Sequence, residues 1–492
     1  MRFRDIALIF TLSCISVMNA ASIQIITPGT LAELAKEETA ATTMTVSGNI
    51  DARDLYFISE TLTELKELNL SEAKINAYSS KTPFFCQEIE YKADELPKMC
   101  FFNKEYTSLV LPKDLKAILN GAVAGCKKLT AIAIPEKVEK IEDYAFYDCN
   151  ALETVIVPAS VKRIGSYVFA GCDALKTATL NTAVPAFTFY NCTALSGVTL
   201  PDSAAEIGES AFRGCNSLTQ FTFPTELKSI AADAFKGTKL AAIDFSKCKV
   251  LTAIGDWAFA DNYNLKTVKF SNSIRLIGVG TFFANSSIQT AELPQTNLNI
   301  SDFLFAECSG MNCPEIISEG VAAIGKYAFD NWIAIDSFKI PASVQMIDDC
   351  AFRNNTGLTE ITVNTPSVPE LGANVFEGVA QPNVMLKVVD ALIPDYKAAE
   401  QWKEFNIQTL SSVDETLADS GVKAYFEGSV LVVAASEEIA ETLLFDVNGL
   451  QLTHSKGGDS TITYETADFS NNFYILAVKL ASGKRCAMKV YR

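Results

Sequence analysis

Histidine is almost missing from this sequence: the 492 residues hold one, His454. Serine and cysteine nucleophiles ordinarily lean on a histidine base, so no catalytic triad can be assembled across most of the chain. Zinc sites want Cys and His in tight pairs; Cys308 and Cys313 form one such spacing, and no second pair answers it. No G-x-G-x-x-G follows a strand pattern and no phosphate-binding loop occurs. Two-carboxylate hydrolysis stays formally open, although the acidic residues fall where solvated charges belong. The expectation is a protein with no enzymatic activity, no catalytic residues, no cofactor and no metal.

Basic residues are also in short supply, 41 Lys and Arg against 58 Asp and Glu, for a net charge of −17. That balance argues against nucleic acid or an anionic membrane as the partner of the whole surface. Long apolar runs are absent too. The longest, Ile6 to Met18, follows Arg2 and Arg4 and precedes the small residues Ala20 and Ala21. This is the layout of a secretory signal over residues 1–20, and it is short of the ~20 residues a membrane-spanning helix needs. A rival reading makes Cys14 a lipid attachment site, with Thr11 where that signal usually has Leu. The sequence predicts an exported monomer without a transmembrane segment, secreted or held on the outer cell surface.

What the chain has in quantity is one sentence rebuilt many times. Phe146, Phe169, Phe189, Phe212, Phe235, Phe259, Phe282, Phe305, Phe329, Phe352 and Phe376 follow one another at 20 to 24 residues. Val123 and Cys100 keep the phase further upstream. In most units apolar residues stand six, nine and eleven places after the phenylalanine, as in Leu152, Val155 and Val157. The last two flank an outward residue, the period of a half-buried strand, and a Pro such as Pro158 or Pro224 often ends it. A second apolar pair with a following Gly, as in Val161, Ile164 and Gly165, is read as turning the chain back. One strand per unit cannot bury its own apolar face, so the units must stack and bury it against each other.

Three places after each phenylalanine runs a polar column: Asn103, Cys126, Cys149, Cys172, Cys192, Cys215, Thr238, Asn262, Asn285, Cys308, Trp332 and Asn355. A disulfide framework needs obligate pairs, whereas a slot shared by Cys, Asn and Thr wants a small group that bonds to nearby backbone. Structural thiols are the preferred reading, with occasional disulfides between stacked units as the alternative. Cys86 and Cys100, outside the column, are the first place to look for a bridge.

Ten places after the anchor the side chain points away from the core. In order, that row reads Val110, Ala133, Ile156, Thr179, Thr199, Thr222, Asp244, Lys269, Glu292, Glu315, Lys339 and Thr362. Lys176, Gln220 and Lys266 lie beside it. Threonine and charge suit any solvated strand. Taken together, however, a long sheet holds such side chains at fixed spacing, as solenoid binding surfaces do. The candidate partner-binding residues are Lys176, Thr179, Thr199, Gln220, Thr222, Asp244, Lys266, Lys269 and Glu292. The apolar start of the row, Val110 to Ile156, is expected to lie under the N-terminal segment.

The wording of "VPASVKRIGSYVFAGCDALKTATL" and "LPDSAAEIGESAFRGCNSLTQFTFP" resembles the BspA-like class of leucine-rich repeats. The resemblance implies an α/β solenoid with a parallel sheet on one face, and an adhesin-like role toward host matrix or cell-surface protein, or a bacterial surface component. Rival classes are an architectural envelope component and, less favoured, an enzyme or enzyme regulator. The expected organisation is an N-terminal cap over residues 21–58, the solenoid over 59–378, a C-terminal cap over 379–410, and a small all-β sandwich-like module over 411–492. A helix near Leu31 to Lys36 and a strand in "MTVSGNI" are expected in the first cap; Ala399, Trp402 and Phe405 stand at helical spacing in the second. Asn448-Gly449 marks a hairpin in the final module. Through "LFDVNGLQL", "ADFSNNFYILAV" and the closing "KVYR", that module resembles the sorting domain of the type IX secretion pathway. It departs at Asn471 and Asn472, where that family often has Gly, and a purely structural end module is the alternative.

Overall fold

The protein is described by a computed structural model over residues 20–294, 299–410, 421–427, 430–446, 451–465, 473–483 and 485–491. The expected signal, Cys14, the Asn448-Gly449 turn and Asn471 to Asn472 lie outside the described residues. The chain divides into two compact units: Met1–Leu386 with Ala398–Asn406, and Lys387–Lys397 with Ile407–Arg492.

The first unit is a parallel-sheet solenoid in which three separate stretches of each coil bond to the next. On the first side run the three-residue strands. Thr154–Ile156, Thr177–Thr179 and Gly197–Thr199 pair in register, as do Ala242–Asp244, Thr267–Lys269 and Thr290–Glu292. The central residue of these strands, Val155, Ala178, Ile243, Val268 or Ala291, is buried while its neighbours face out. On the second side, the apolar pairs form parallel ladders of their own: Glu95–Leu96, Ala117–Ile118, Lys140–Ile141 and Arg163–Ile164, then Glu206–Ile207 through Leu276–Ile277. The sequence reading made this segment only a turn; the second residue of each pair, as in Leu96, Ile118, Ile141, Ile207 and Ile277, is buried, while Leu276 faces solvent, and the pairing repeats from coil to coil.

The third side carries the phenylalanines. Each anchor N–H donates to a carbonyl in the following coil, Phe146 to Val168 at 2.9 Å and Phe212 to Ala234 at 2.8 Å. The rings stack from Phe146 to Phe376, centroids 5.1 to 6.5 Å apart and planes within 23°. Two places to either side of the anchor the backbone is left-handed, as at Tyr167 (φ 58°) and Gly171 (φ 72°). The second of these slots most often takes Gly, Asp or Asn, as at Gly171, Gly214, Asp148, Asn191 and Asn354, the residue types that accept that conformation at least cost; Ala284 and Glu307 fill it in two coils.

Before the first full coil, Ala20–Ile25 and Thr43–Ile50 pair in parallel, and the helix Ala52–Glu60 packs behind them. Asp51 caps that helix, with Asp54 returning a bond to the Asp51 N–H at 2.9 Å. The expected helix near Leu31 shortens to Leu31–Leu34; the one at Ala52 was not anticipated. At the other end, Gln401 is left-handed (φ 62°), so Ala399 to Phe405 is not one helix as the spacing suggested but a tight turn over Trp402–Glu404. Trp402 and Phe405 still reach the last stacked ring, Phe376, at 5.1 and 4.9 Å.

The second unit holds two antiparallel sheets, Val422–Glu427, Val430–Ala435 and Thr461–Glu465 in one and Gln451–Lys456, Ile439–Phe445, Phe473–Leu480 and Arg485–Tyr491 in the other. Leu431, Val433, Leu444, Tyr474, Leu476 and Val490 belong to its core.

Phe235 lies 5.1 Å from both Phe212 and Phe259. Phe235→Ala is expected to cost about 3–5 kcal/mol, read as a shift of the urea midpoint, whereas Thr199→Ala on the exposed row should move it little. A Phe235→Ala shift no larger than the Thr199→Ala shift would remove the stack as the core of the solenoid.

Candidate functional site: the open strand face

The polar column accounts for six of the described cysteines. Cys126 donates to the Phe101 carbonyl at 3.2 Å, Cys149 to Val123 at 3.3 Å, Cys172 to Phe146 at 3.3 Å, Cys192 to Phe169 at 3.0 Å, Cys215 to Phe189 at 3.2 Å and Cys308 to Phe282 at 3.2 Å. Asn262 and Asn285 do the same through Nδ2, to Phe235 at 2.9 Å and Phe259 at 3.0 Å. Trp332, the misfit by size, reaches the Phe305 carbonyl with its indole N–H at 2.7 Å. The described cysteines are all free, Cys86 on the surface and Cys100 buried, so the bridge sought there does not form.

With the thiols committed inward, the outward row is what the strand face presents to solvent. Thr199, Thr222, Asp244, Lys266, Lys269 and Glu292 are exposed and Thr179 is half-buried. The ladder brings Lys176, Thr179 and Thr199 together in one segment, and Asp244, Lys269 and Glu292 side by side in another, with Lys266 immediately before the strand. Gln220 and Thr222 are also exposed, but no strand forms around them. Phe221 and Phe223 turn aromatic rings against Phe235 at 4.8 and 5.6 Å, and the next coil is one residue short before Leu240; both interrupt the ladder there. Lys176 is not free: its Nζ lies 2.9 Å from Glu153 of the preceding coil. The apolar start of the row was expected to be covered, yet among the described residues Val110 is 41% and Ile156 66% exposed.

Sequence reading missed three further features. Residues 76–93 interrupt the repeat with a hairpin, Tyr78–Ser79 against Glu90–Tyr91. Beside it lies a cleft lined by Glu88, Glu90, Lys92, Glu95, Lys98 and Lys140, where Lys98 pairs with Glu88 at 2.6 Å. On the anchor side, Tyr144, Tyr167 and Phe187 form a second aromatic stack, 4.9 and 4.3 Å between rings. His454 lies within a strand, its Nε2 2.9 Å from Glu441, and not in the turn that follows.

Burial pushes the column thiols upward, Cys126 to about 12 from an ordinary 9.0, with Cys149, Cys172, Cys192, Cys215 and Cys308 raised for the same reason. Above pH 9 the unfolded chain sheds thiol protons that the fold retains, so stability falls as pH rises, by about 1.4 kcal/mol per pH unit for each such thiol. The urea midpoint should therefore drop steeply between pH 9 and 11, and at pH 8 a thiol reagent should label Cys86 at once and the column only on unfolding. Rapid labelling of the column in the folded chain would contradict this placement.

Three comparisons complete the picture. The pattern of the BspA type leucine-rich repeat region matches in six copies, over residues 94–187, 182–312, 281–390 and 322–408. No curated protein matches the chain. Among solved structures, a leucine-rich repeat protein from Bacteroides ovatus is 23% identical, covering 62% of this chain and 92% of that one with a TM-score of 0.44. A leucine rich cell surface protein from Faecalibacterium prausnitzii is 24% identical, covering 52% and 86% with a TM-score of 0.32. The leucine rich repeat protein of T. pallidum is 26% identical, covering 37% and 77% with a TM-score of 0.30.

Proposed function

The chain belongs to the BspA-type leucine-rich repeat family, and from that membership we infer an exported, non-catalytic binding protein that works as an adhesin. Solenoids of this kind are ordinarily binding scaffolds rather than enzymes. The partner is a protein of host matrix or cell surface, or a bacterial surface component, met by the outward row of the strand face. The observation that carries this reading is that row itself: from Thr199 to Glu292 its side chains stand exposed on a backbone whose hydrogen bonds are spent between coils.

Residues 1–20 act as the export signal in this reading, 21–58 and 379–410 cap the solenoid of 59–378, and the module from 411 to 492 serves as a type IX sorting domain. Among the described residues no helix is long and apolar enough to cross a membrane, which fits a chain that is secreted or held outside the cell by that module.

Replacing Lys176, Gln220, Thr222 and Lys269 together by alanine should weaken capture of purified matrix proteins by about tenfold or more. The unfolding midpoint should hold, because all four side chains face out. Undiminished capture would move the site to the loops or the C-terminal module.

A further inference from the structure

The solenoid treats its lysines in two ways. Along the earlier coils they are neutralised by a carboxylate one coil back: Lys116 by Asp94 at 2.8 Å, Lys128 by Glu105 at 2.6 Å, Lys137 by Asp114 at 2.5 Å and Lys176 by Glu153 at 2.9 Å. Between residues 228 and 275 the balance inverts, with eight basic residues against four acidic ones in a chain whose net charge is −17. Lys236 is held by Asp233 and Asp261. Lys228, Lys239, Lys247, Lys249, Lys266 and Lys269 are exposed and make no ion pair within 4 Å among the described residues.

For Lys266 the register explains why. The N–H of Lys266 bonds to Ala241 and its carbonyl accepts from Gln289, so the coils on both sides offer it no acid. Lys239 and Tyr263 each directly follow the polar-column residue of their coil, Thr238 and Asn262, which sets them at equivalent places in adjacent coils. Tyr263 is 57% exposed, and its hydroxyl is steadied by Asp261 at 3.3 Å. Lys269 lies in register between Asp244 and Glu292, and Asp244 already accepts the Ser246 N–H at 2.8 Å.

We propose that this part of the strand face, together with the turn that leads into it and carries Lys239 and Tyr263, binds an acidic linear glycan, a chain of pyranose rings carrying sulfate or uronate groups. The inference rests on the face being the binding surface and names its ligand class. Lysine heads suit separate anionic groups, each taken as a point charge. Asp244 and Glu292, set among them, repel a continuous run of negative charge such as a nucleic acid backbone, but accept hydrogen bonds from sugar hydroxyls between the charged groups. The Tyr263 ring gives the apolar side of a pyranose a surface to lie on. The excess of negative charge elsewhere keeps the polyanion to this patch.

The test uses the full chain without residues 1–20, titrated with a heparin-derived hexasaccharide, an unsulfated uronate oligosaccharide, poly-glutamate and phosphatidylglycerol vesicles. One or both glycans should bind, more weakly as salt rises. Lys239→Glu, Lys266→Glu and Lys269→Glu together should lower that affinity about tenfold or more with the unfolding midpoint unchanged. Tyr263→Ala should weaken glycan binding severalfold and leave any poly-glutamate binding alone. No glycan binding at 0.1 M salt, binding indifferent to the three lysines, or equal binding of poly-glutamate or vesicles regardless of Tyr263 would each overturn the proposal. The two readings fail separately: a chain that captures matrix protein but no glycan refutes this inference alone, and one that binds glycan but no protein refutes only the protein partner.

Discussion

The carbonyl of the anchor phenylalanine is the group on which the solenoid turns. It is buried beside a ring that is itself inaccessible, and in most coils it accepts one bond from its own coil, as from the Cys192 N–H to Phe189 at 3.1 Å or the Cys215 N–H to Phe212 at 3.1 Å. A second bond, from the following coil, adds about 0.5–1.5 kcal/mol wherever it forms. In most coils the residue three places after the next anchor supplies it, by thiol, amide or indole; Thr238 instead donates to Asn262, and the Asn355 Nδ2 reaches no carbonyl. That requirement explains why Cys, Asn and Trp interchange, and why the column thiols Cys126, Cys149, Cys172, Cys192, Cys215 and Cys308 are unbridged. Where the bond forms it ties a coil to its successor, since the second donor to one anchor carbonyl is carried by the next coil. Stacking is thereby enforced by hydrogen bonding as well as by the burial of apolar surface.

The same device separates scaffold from surface. Period, anchor, column and inward strand residues are fixed by the neighbouring coils, and the outward row takes no part in any of these contacts. Its composition can drift from Ile156 through Thr199 to Lys269 without touching the core. Cross-coil ion pairs occupy part of that freedom in the earlier coils, where exposed pairs such as Lys162 and Glu139 at 3.3 Å contribute at most about 1 kcal/mol. Where they cease, the lysines are available to something else.

The repeat, the ring stack and the work of the thiols could be read from the sequence because each is periodic, and periodicity survives without coordinates. The exposed row followed from it, and eight of the nine candidate positions are exposed, with Thr179 half-buried. What escaped is aperiodic or depends on partners. A two-residue strand such as Ser229–Ile230 is too short to show an alternation, so the second ladder looked like a turn. The hairpin around Cys86 and the helix at Ala52 belong to no repeat. The pairing of Lys176 with Glu153 joins residues 23 apart, visible only once coils are superposed. Gln220 and Thr222 were assigned to a strand by analogy with their neighbours, and Phe221 and Phe223 broke the analogy by size.

The left-handed aromatics bear on how well the face can bind. Tyr144, Tyr167 and Phe187 hold φ near 58°, a conformation that costs a bulky residue about 1–2 kcal/mol. Other coils fill the slot with Ser210 or Asp233, so the fold does not require a ring there. The rings offset part of that cost by stacking with planes 11° and 3° apart, worth about 0.5–1.5 kcal/mol per pair beyond their burial. The stack therefore adds no net stability, but it ties three successive coils together on the outer side of the anchor turn as well as within it. The strand face of those coils is thus held in place by the fold itself, and for the proposed binding role a surface that need not be ordered on contact loses less entropy.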